Sequence, residues 1–278
     1  MLGLPPRANS TFPVAKAALA GFVRAAPERP RDSLSDEFLV LVTADWFYGT
    51  GQDPGDGPEA AAASWVAFDC YLRPSEVLAL TAKDITLPRA GCPDTIVTVA
   101  PATGALPAKN RVFDASTVAW AHDRGWVCEL LADLCRRRPT GPLFRLSLSR
   151  WESMCRAFRT EHFSASLPLS PHSWRHAGPS HDSWFFKVSE SAIQHRGRWL
   201  SANSVKRYSK PAGMSRSRSM LSHAHLNRVK QLRPRLSRDI LEYFKDPNPT
   251  RPPVNRSKKV SGSVGTRQLV KKRPAASL

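Results

Sequence analysis

Paired cysteine, long apolar runs and acidic residues are all scarce in this 278-residue chain. There are five cysteines, Cys70, Cys92, Cys128, Cys135 and Cys155, and no C-x-x-C pair. An odd, scattered set argues against a disulfide framework or a cysteine-rich zinc site, and for a reducing compartment. No apolar run reaches the roughly 18 residues that a membrane-spanning helix needs, so no membrane partner is expected. Acids number 23 against 41 Lys and Arg, a formal net charge of +18. That excess points to a polyanionic partner, with nucleic acid ahead of an anionic membrane surface. Tyrosine is scarce as well, with four in all, Tyr48, Tyr71, Tyr208 and Tyr243.

What is present is enough for a core. Hydrophobic residues make up 41% of the chain, which excludes global disorder. The length suits one large domain or two small ones. Four zones follow from composition: 1–35, 36–210, 211–245 and 246–278. The first has a single acid, Glu28, before Asp32. It reads as a poorly ordered segment with one helical stretch, Val14–Ala25, ahead of an organellar transit signal. The charge is concentrated at the other end. Residues 209–278 hold 17 Lys and Arg and three acids, so +14 of the +18 lies after Tyr208. Leu226, Val229, Leu232, Leu236, Ile240 and Leu241 recur at helical spacing within Leu221–Phe244, which predicts a basic helix. Beyond Asp246 the Pro, Ser, Lys and Arg content predicts a disordered polybasic arm.

Local signals organise the middle. Ser33 and Ser35 precede Asp36-Glu37 and the apolar stretch Phe38–Tyr48, which predicts a capped helix. The cluster Gly49–Pro58 should end it, and Ala60–Tyr71 reads as a second helix, buried on most faces. Pro74–Leu80 is helical in spacing. Thr95–Val99 is short and β-branched, hence a strand, and Arg111-Val112-Phe113 reads as the returning strand of a small hairpin. Ser116–Ser166 reads as helical with a break at Pro139–Pro142, and His172–Ser209 as two or three helices. The fold class is therefore α+β, mainly α, with a small β-hairpin or three-stranded sheet.

Three segments carry chemistry. Leu72-Arg73-Pro74-Ser75-Glu76-Val77 sets an arginine at the start of an apolar helix. Pro171-His172-Ser173-Trp174-Arg175-His176 is an H-x-x-R box. Gly197-Arg198-Trp199-Leu200-Ser201 runs on to Tyr208, nine residues after Trp199. Each has a plainer reading. Arg73 and Glu76 suit a helical ion pair. His172 and His176 have the spacing of two zinc ligands, with Cys155, His162 and His181 the available additions. His181-Asp182 could mimic a catalytic dyad, but more plainly suits a local hydrogen bond or a helix surface. Trp199 and Tyr208 could be core.

Taken together and in this order, the three segments resemble the catalytic domain of the tyrosine recombinases, the phage-integrase-like enzymes, over roughly residues 36–210. The Gly-Arg-Trp of the third segment and Pro179-Ser180-His181-Asp182 after the second are similar to integrase-like genes of eukaryotic mobile elements. The resemblance implies DNA strand breakage and rejoining through a 3′-phosphotyrosyl intermediate, with no cofactor or metal. Arg73 and Arg175 would bind the phosphate, since guanidinium holds two oxygens at once and keeps its charge. His172 would orient the phosphate or take the tyrosine proton. Trp199 would donate its indole N–H, and Tyr208 would be the nucleophile. The leaving 5′-oxygen needs an acid, which the family supplies from a lysine on a β-hairpin. Lys109 is the lysine so placed, with Arg111 the substitute.

The resemblance further implies double-stranded DNA as partner, exchange within a homotetramer, and nuclear location in a eukaryote, cytoplasmic or nucleoid otherwise. The family's N-terminal DNA-gripping domain is expected to be truncated, with about 35 residues ahead of the catalytic region. The helix that the family packs on a neighbouring protomer after the tyrosine would fall in Leu221–Phe244. The alternatives are a catalytically inactive DNA-binding protein derived from an integrase, type IB topoisomerase-like relaxation, and an anionic-membrane binder acting through the tail.

Overall fold

The computed structural model describes residues 33–49, 55–99, 115–119, 124–163, 167–246 and 249. Val14–Ala25, the Arg111–Phe113 strand, Lys109 and the polybasic arm lie outside the described residues.

The interior is built on two helices, α1 (Asp36–Tyr48) and α2 (Asp56–Asp69). Both are apolar nearly all round, which marks internal helices rather than surface ones. All of α1 but Asp45 is buried. In α2 the run Ala60–Ala63 lets α1 approach closely. This helix begins at Asp56, earlier than the Gly49–Pro58 cluster suggests. Pro58 sits in the first turn, where a missing N–H breaks no helical bond. Ser35 stands at the N-cap of α1 without making a side-chain cap bond. The two serines tie the helix start to other segments instead. Ser33 donates to the His176 carbonyl at 3.0 Å, and the Ser35 N–H donates to Ser217 Oγ at 2.8 Å.

After α3 (Pro74–Ala79) and a 3-10 turn (Ala82–Asp84) comes an antiparallel sheet of order β1 (Ile85–Thr86), β2 (Ile96–Val99) and β3 (Ala115–Val118). Its register pairs Ile85 with Val97, and Ile96 with Val118. Ser116–Val118 therefore lies in a strand, not at the start of a helix. The pairing buries Thr117 and Val97 on one face, and the following helix, α4 (Gly125–Arg137), starts later. Helix α5 (Leu148–His162) follows the Pro139–Pro142 break.

Three helices succeed one another in the His172–Ser209 stretch: α6 (Ser173–Phe185), α7 (Glu190–Arg196) and α8 (Ala202–Tyr208). Helix α6 runs against α2, and Gly178 permits it. A Cβ there would collide with the Phe68 carbonyl and the Tyr71 ring. Then come α9 (Pro211–Ser219) and α10 (His223–Lys245). The α10 stripe Val229, Leu232, Leu236, Ile240 and Phe244 is buried in the main core. It packs on α1 and α4 of its own chain.

Candidate active site

Arg73 is placed by a helix start. Its backbone is extended, Pro74 opens α3, and the Arg73 N–H donates to Glu76 Oε2 at 2.8 Å. A glutamate at the third helical position often turns back on the chain in this way. The same carboxylate binds the Arg73 guanidinium through Oε1. Arg175 comes from the first turn of α6 and is 1% exposed. Its Nη1 donates to the Tyr71 carbonyl and lies 3.4 Å from Glu76 Oε2, and its Nη2 donates to the Gly197 carbonyl at 3.3 Å. Its Nε is buried without a hydrogen-bond partner.

Glu76 holds a third guanidinium. Arg198 Nη2 donates to Oε2 at 2.9 Å. Burial alone would raise the Glu76 carboxyl pKa. The guanidiniums of Arg198 and Arg175, with the Arg73 N–H and guanidinium, outweigh that and hold it below its ordinary value. Arg175 feels the opposite pressure. Loss of water pushes its guanidinium down to about 10, and Glu76 only partly offsets this. A guanidinium so affected gains from any anion that joins it.

Above this cluster stands a column of rings. Tyr208, the last residue of α8, stacks on Trp199 at 4.6 Å and on His176 at 4.5 Å. Trp199 stacks in turn on Tyr71 at 6.2 Å, and His172 packs on His176 at 5.2 Å and lies 6.4 Å from Tyr208. The Arg175 guanidinium is 5.3 Å from the Tyr208 ring centre and 5.5 Å from that of Trp199, in range of a cation–π contact. Gly197 makes room for Trp199, since a Cβ there would collide with the indole. The indole Nε1 is buried and has no hydrogen-bond partner. The end of α8 is anchored by Ser180, whose Oγ accepts from the Lys210 N–H at 2.8 Å and lies 3.0 Å from the Tyr208 carbonyl.

Five of the residues singled out in the sequence thus meet in one place: Arg73, His172, Arg175, Trp199 and Tyr208. Lys109 falls outside the described residues. The sequence reading passed over three others. Glu76 pairs with Arg73 on local spacing, yet three guanidiniums converge on it. His176, and not His172, stacks directly on Tyr208. It was visible as the histidine four residues after His172. Arg198 was visible within Gly-Arg-Trp, with nothing local to show where it points. Among the described residues no group of three His, Cys, Asp or Glu could hold a metal.

On the other side of Tyr71 lies a second buried cluster. Arg124 donates to Asp69 Oδ1 at 2.7 Å and Asp182 Oδ1 at 2.9 Å. Arg196 reaches the Asp69 carbonyl at 2.6 Å and lies 3.6 Å from Asp182 Oδ2. The Tyr71 hydroxyl donates to Asp182. His181 Nδ1 is 3.3 Å from Asp182 Oδ1, the local hydrogen bond expected of this pair, and both residues are buried and not on a helix surface. Burial would raise the Asp182 carboxyl. The His181 hydrogen bond, Arg124 and Arg196 overcome it and hold the group well below the usual carboxylate range.

No protein-family model and no curated protein matches the chain. Among solved structures it is similar to the XerH site-specific recombinase bound to its difH substrate, at 15% identity and a TM-score of 0.46, covering 65% of this chain and 50% of that one. It is also similar to the Tn1549 transposon integrase in complex with circular-intermediate DNA, at 14% identity and a TM-score of 0.46, covering 72% and 76%. The chain spans about half the length of the XerH chain.

Proposed function

We propose that this chain breaks and rejoins DNA strands, with Tyr208 as nucleophile. The observation that carries the reading is the position of Arg175. One buried guanidinium touches the Glu76 carboxylate and the rings of both Trp199 and Tyr208. Cation and candidate nucleophile therefore serve one reacting centre, as positioned electrostatic stabilisation requires.

In this reading Arg73 and Arg175 hold the non-bridging oxygens of a phosphodiester. The Tyr208 oxygen attacks phosphorus and loses its proton to a nearby base, for which His172 and His176 stand in the ring column. The bond to the 5′-oxygen breaks, and that oxygen takes a proton from an acid, for which Lys109 is the candidate. The product is a 3′-phosphotyrosyl bond and a free 5′-hydroxyl. Attack by a 5′-hydroxyl reverses the step, so bond energy is kept without a cofactor. The substrate is duplex DNA, and exchange between two duplexes would take place within a tetramer. The second reading is a DNA-binding protein that does not cut. The closed stack of Tyr208 between His176 and Trp199 is what favours it.

Covalent trapping on nicked duplexes separates the two. The strand-breaking reading predicts a protein–DNA adduct that survives denaturant. Tyr208→Phe should abolish it. Tyr243→Phe should not, since Tyr243 lies on α10 against Phe47 and Phe244. An unmodified chain that binds these duplexes and forms no adduct on any of them supports the second reading.

A further inference from the structure

Arg198 stands where the backbone prefers glycine. Helix α7 ends in a Schellman turn. The Trp199 N–H donates to the Gln194 carbonyl at 3.1 Å and the Arg198 N–H to the His195 carbonyl at 3.0 Å. The residue after the C-cap of such a turn is left-handed and is usually glycine, because a Cβ is strained there. Arg198 has φ 55°. A long side chain held at such a position needs an explanation beyond the turn itself.

The side chain supplies it. It is 7% exposed and turns inward to Glu76 Oε2. That oxygen also takes the Arg73 N–H and faces Arg175, while Oε1 binds the Arg73 guanidinium. Without Arg198, one carboxylate would be divided between two guanidiniums. With it, three compete, and each of the other two is less fully neutralised. The burial that lowers Arg175 lowers Arg198 as well, which adds to the pull on an incoming anion. A phosphodiester carries one negative charge and its five-coordinate transition state two. Extra positive charge held behind Glu76 therefore favours the transition state over the bound substrate.

We propose that Arg198 is a positioning residue for the phosphate. It takes up part of Glu76, and so leaves the positive charge of Arg73 and Arg175 less fully offset and available to the scissile phosphodiester. This rests on the strand-breaking reading above.

The test compares the full chain with Arg198→Gly and Arg198→Lys. Glycine suits the turn, so its melting temperature should equal or exceed that of the unmodified chain. Its rate of adduct formation at saturating nicked duplex should fall roughly ten- to hundredfold, with DNA affinity little changed. Lysine should recover part of the rate. On a duplex with a neutral methylphosphonate at the scissile position, less charge needs balancing, so the Gly variant should come close to the unmodified chain. Three results overturn the role of Arg198 while leaving Tyr208 chemistry in place: an unchanged rate, an equal loss on both linkages, or a loss confined to DNA affinity. An unmodified chain that forms no adduct on either linkage overturns the strand-breaking reading and this one together.

Discussion

Two buried charge clusters meet at Tyr71, and they are built differently. Around Asp69 and Asp182, two carboxylates face two guanidiniums, Arg124 and Arg196, with His181 and the Tyr71 hydroxyl completing the bonds. Around Glu76, three guanidiniums face one carboxylate. The first is charge-matched. The second holds more positive charge than Glu76 can offset. A matched cluster suits a scaffold, and one with surplus positive charge suits a site for an anion. Variants in the two should fail in different ways.

Asp182→Asn should give the largest effect. It leaves Arg124 and Arg196 short of a counter-charge, and breaking a buried pair in this way costs about 3–5 kcal/mol. Thermal or urea unfolding measures it. Molecules that remain folded should form the Tyr208 adduct at a rate near that of the unmodified chain. If the rate per folded molecule fell steeply instead, the scaffold label would be wrong.

Arg175→Lys should invert that pattern. A lysine keeps one charge but cannot span two oxygens. The adduct rate should fall by about 10²–10³, with unfolding shifted less than in Asp182→Asn. A rate near that of the unmodified chain would remove Arg175 from the phosphate site.

The contrast between clusters was only half legible in the sequence. Arg73, His172, Arg175, Trp199 and Tyr208 could be picked out because the three segments that hold them resemble, in order and spacing, those of a known enzyme family. The role of Glu76 could not, because it depends on three segments crossing, α3, α6 and the end of α7. Arg198 was hidden for a related reason, since the turn that aims it is a backbone feature. The matched cluster joins Asp69, Arg124, Asp182 and Arg196, which come from four different segments, and nothing local shows that they meet. In the fold, long apolar periodicities such as that of α10 were readable. The strand Ala115–Val118 was not, because its partner Ile96–Val99 lies well upstream and β pairing is non-local.

Acid offers a third, gentler contrast. Asp182 and Glu76 both have depressed carboxyl pKa values. A group lowered in the folded state adds stability that is complete above its unfolded value. That stability is lost as pH falls through the unfolded value, about 4 for a carboxylate, towards the folded one. Stability should thus decline below about pH 5. Asp182→Asn should flatten that decline, and Glu76→Gln should flatten it less, because Asp182 is held further below its ordinary value. Unfolding curves between pH 3 and 7 on the three proteins check the order.

Tyr71→Phe probes the joint itself and should give the smallest change. The Tyr71 carbonyl accepts from Arg175, its ring stacks on Trp199 and lies 4.9 Å under Arg196, and its hydroxyl donates to Asp182. Burial, and then the Asp182 charge, push the phenol pKa up, so the hydroxyl stays a donor at neutral pH. Phenylalanine keeps the carbonyl and the ring and removes that single donor. Asp182 retains Arg124, Arg196 and His181, so the cost should be about 1–2 kcal/mol of stability. The Arg175 contact is made by the backbone and survives, so the adduct rate at saturating DNA should hold. If it fell while the unfolding curve barely moved, charge balance would be passing through the phenol from one cluster to the other. The scaffold and the phosphate site would then be one network rather than two.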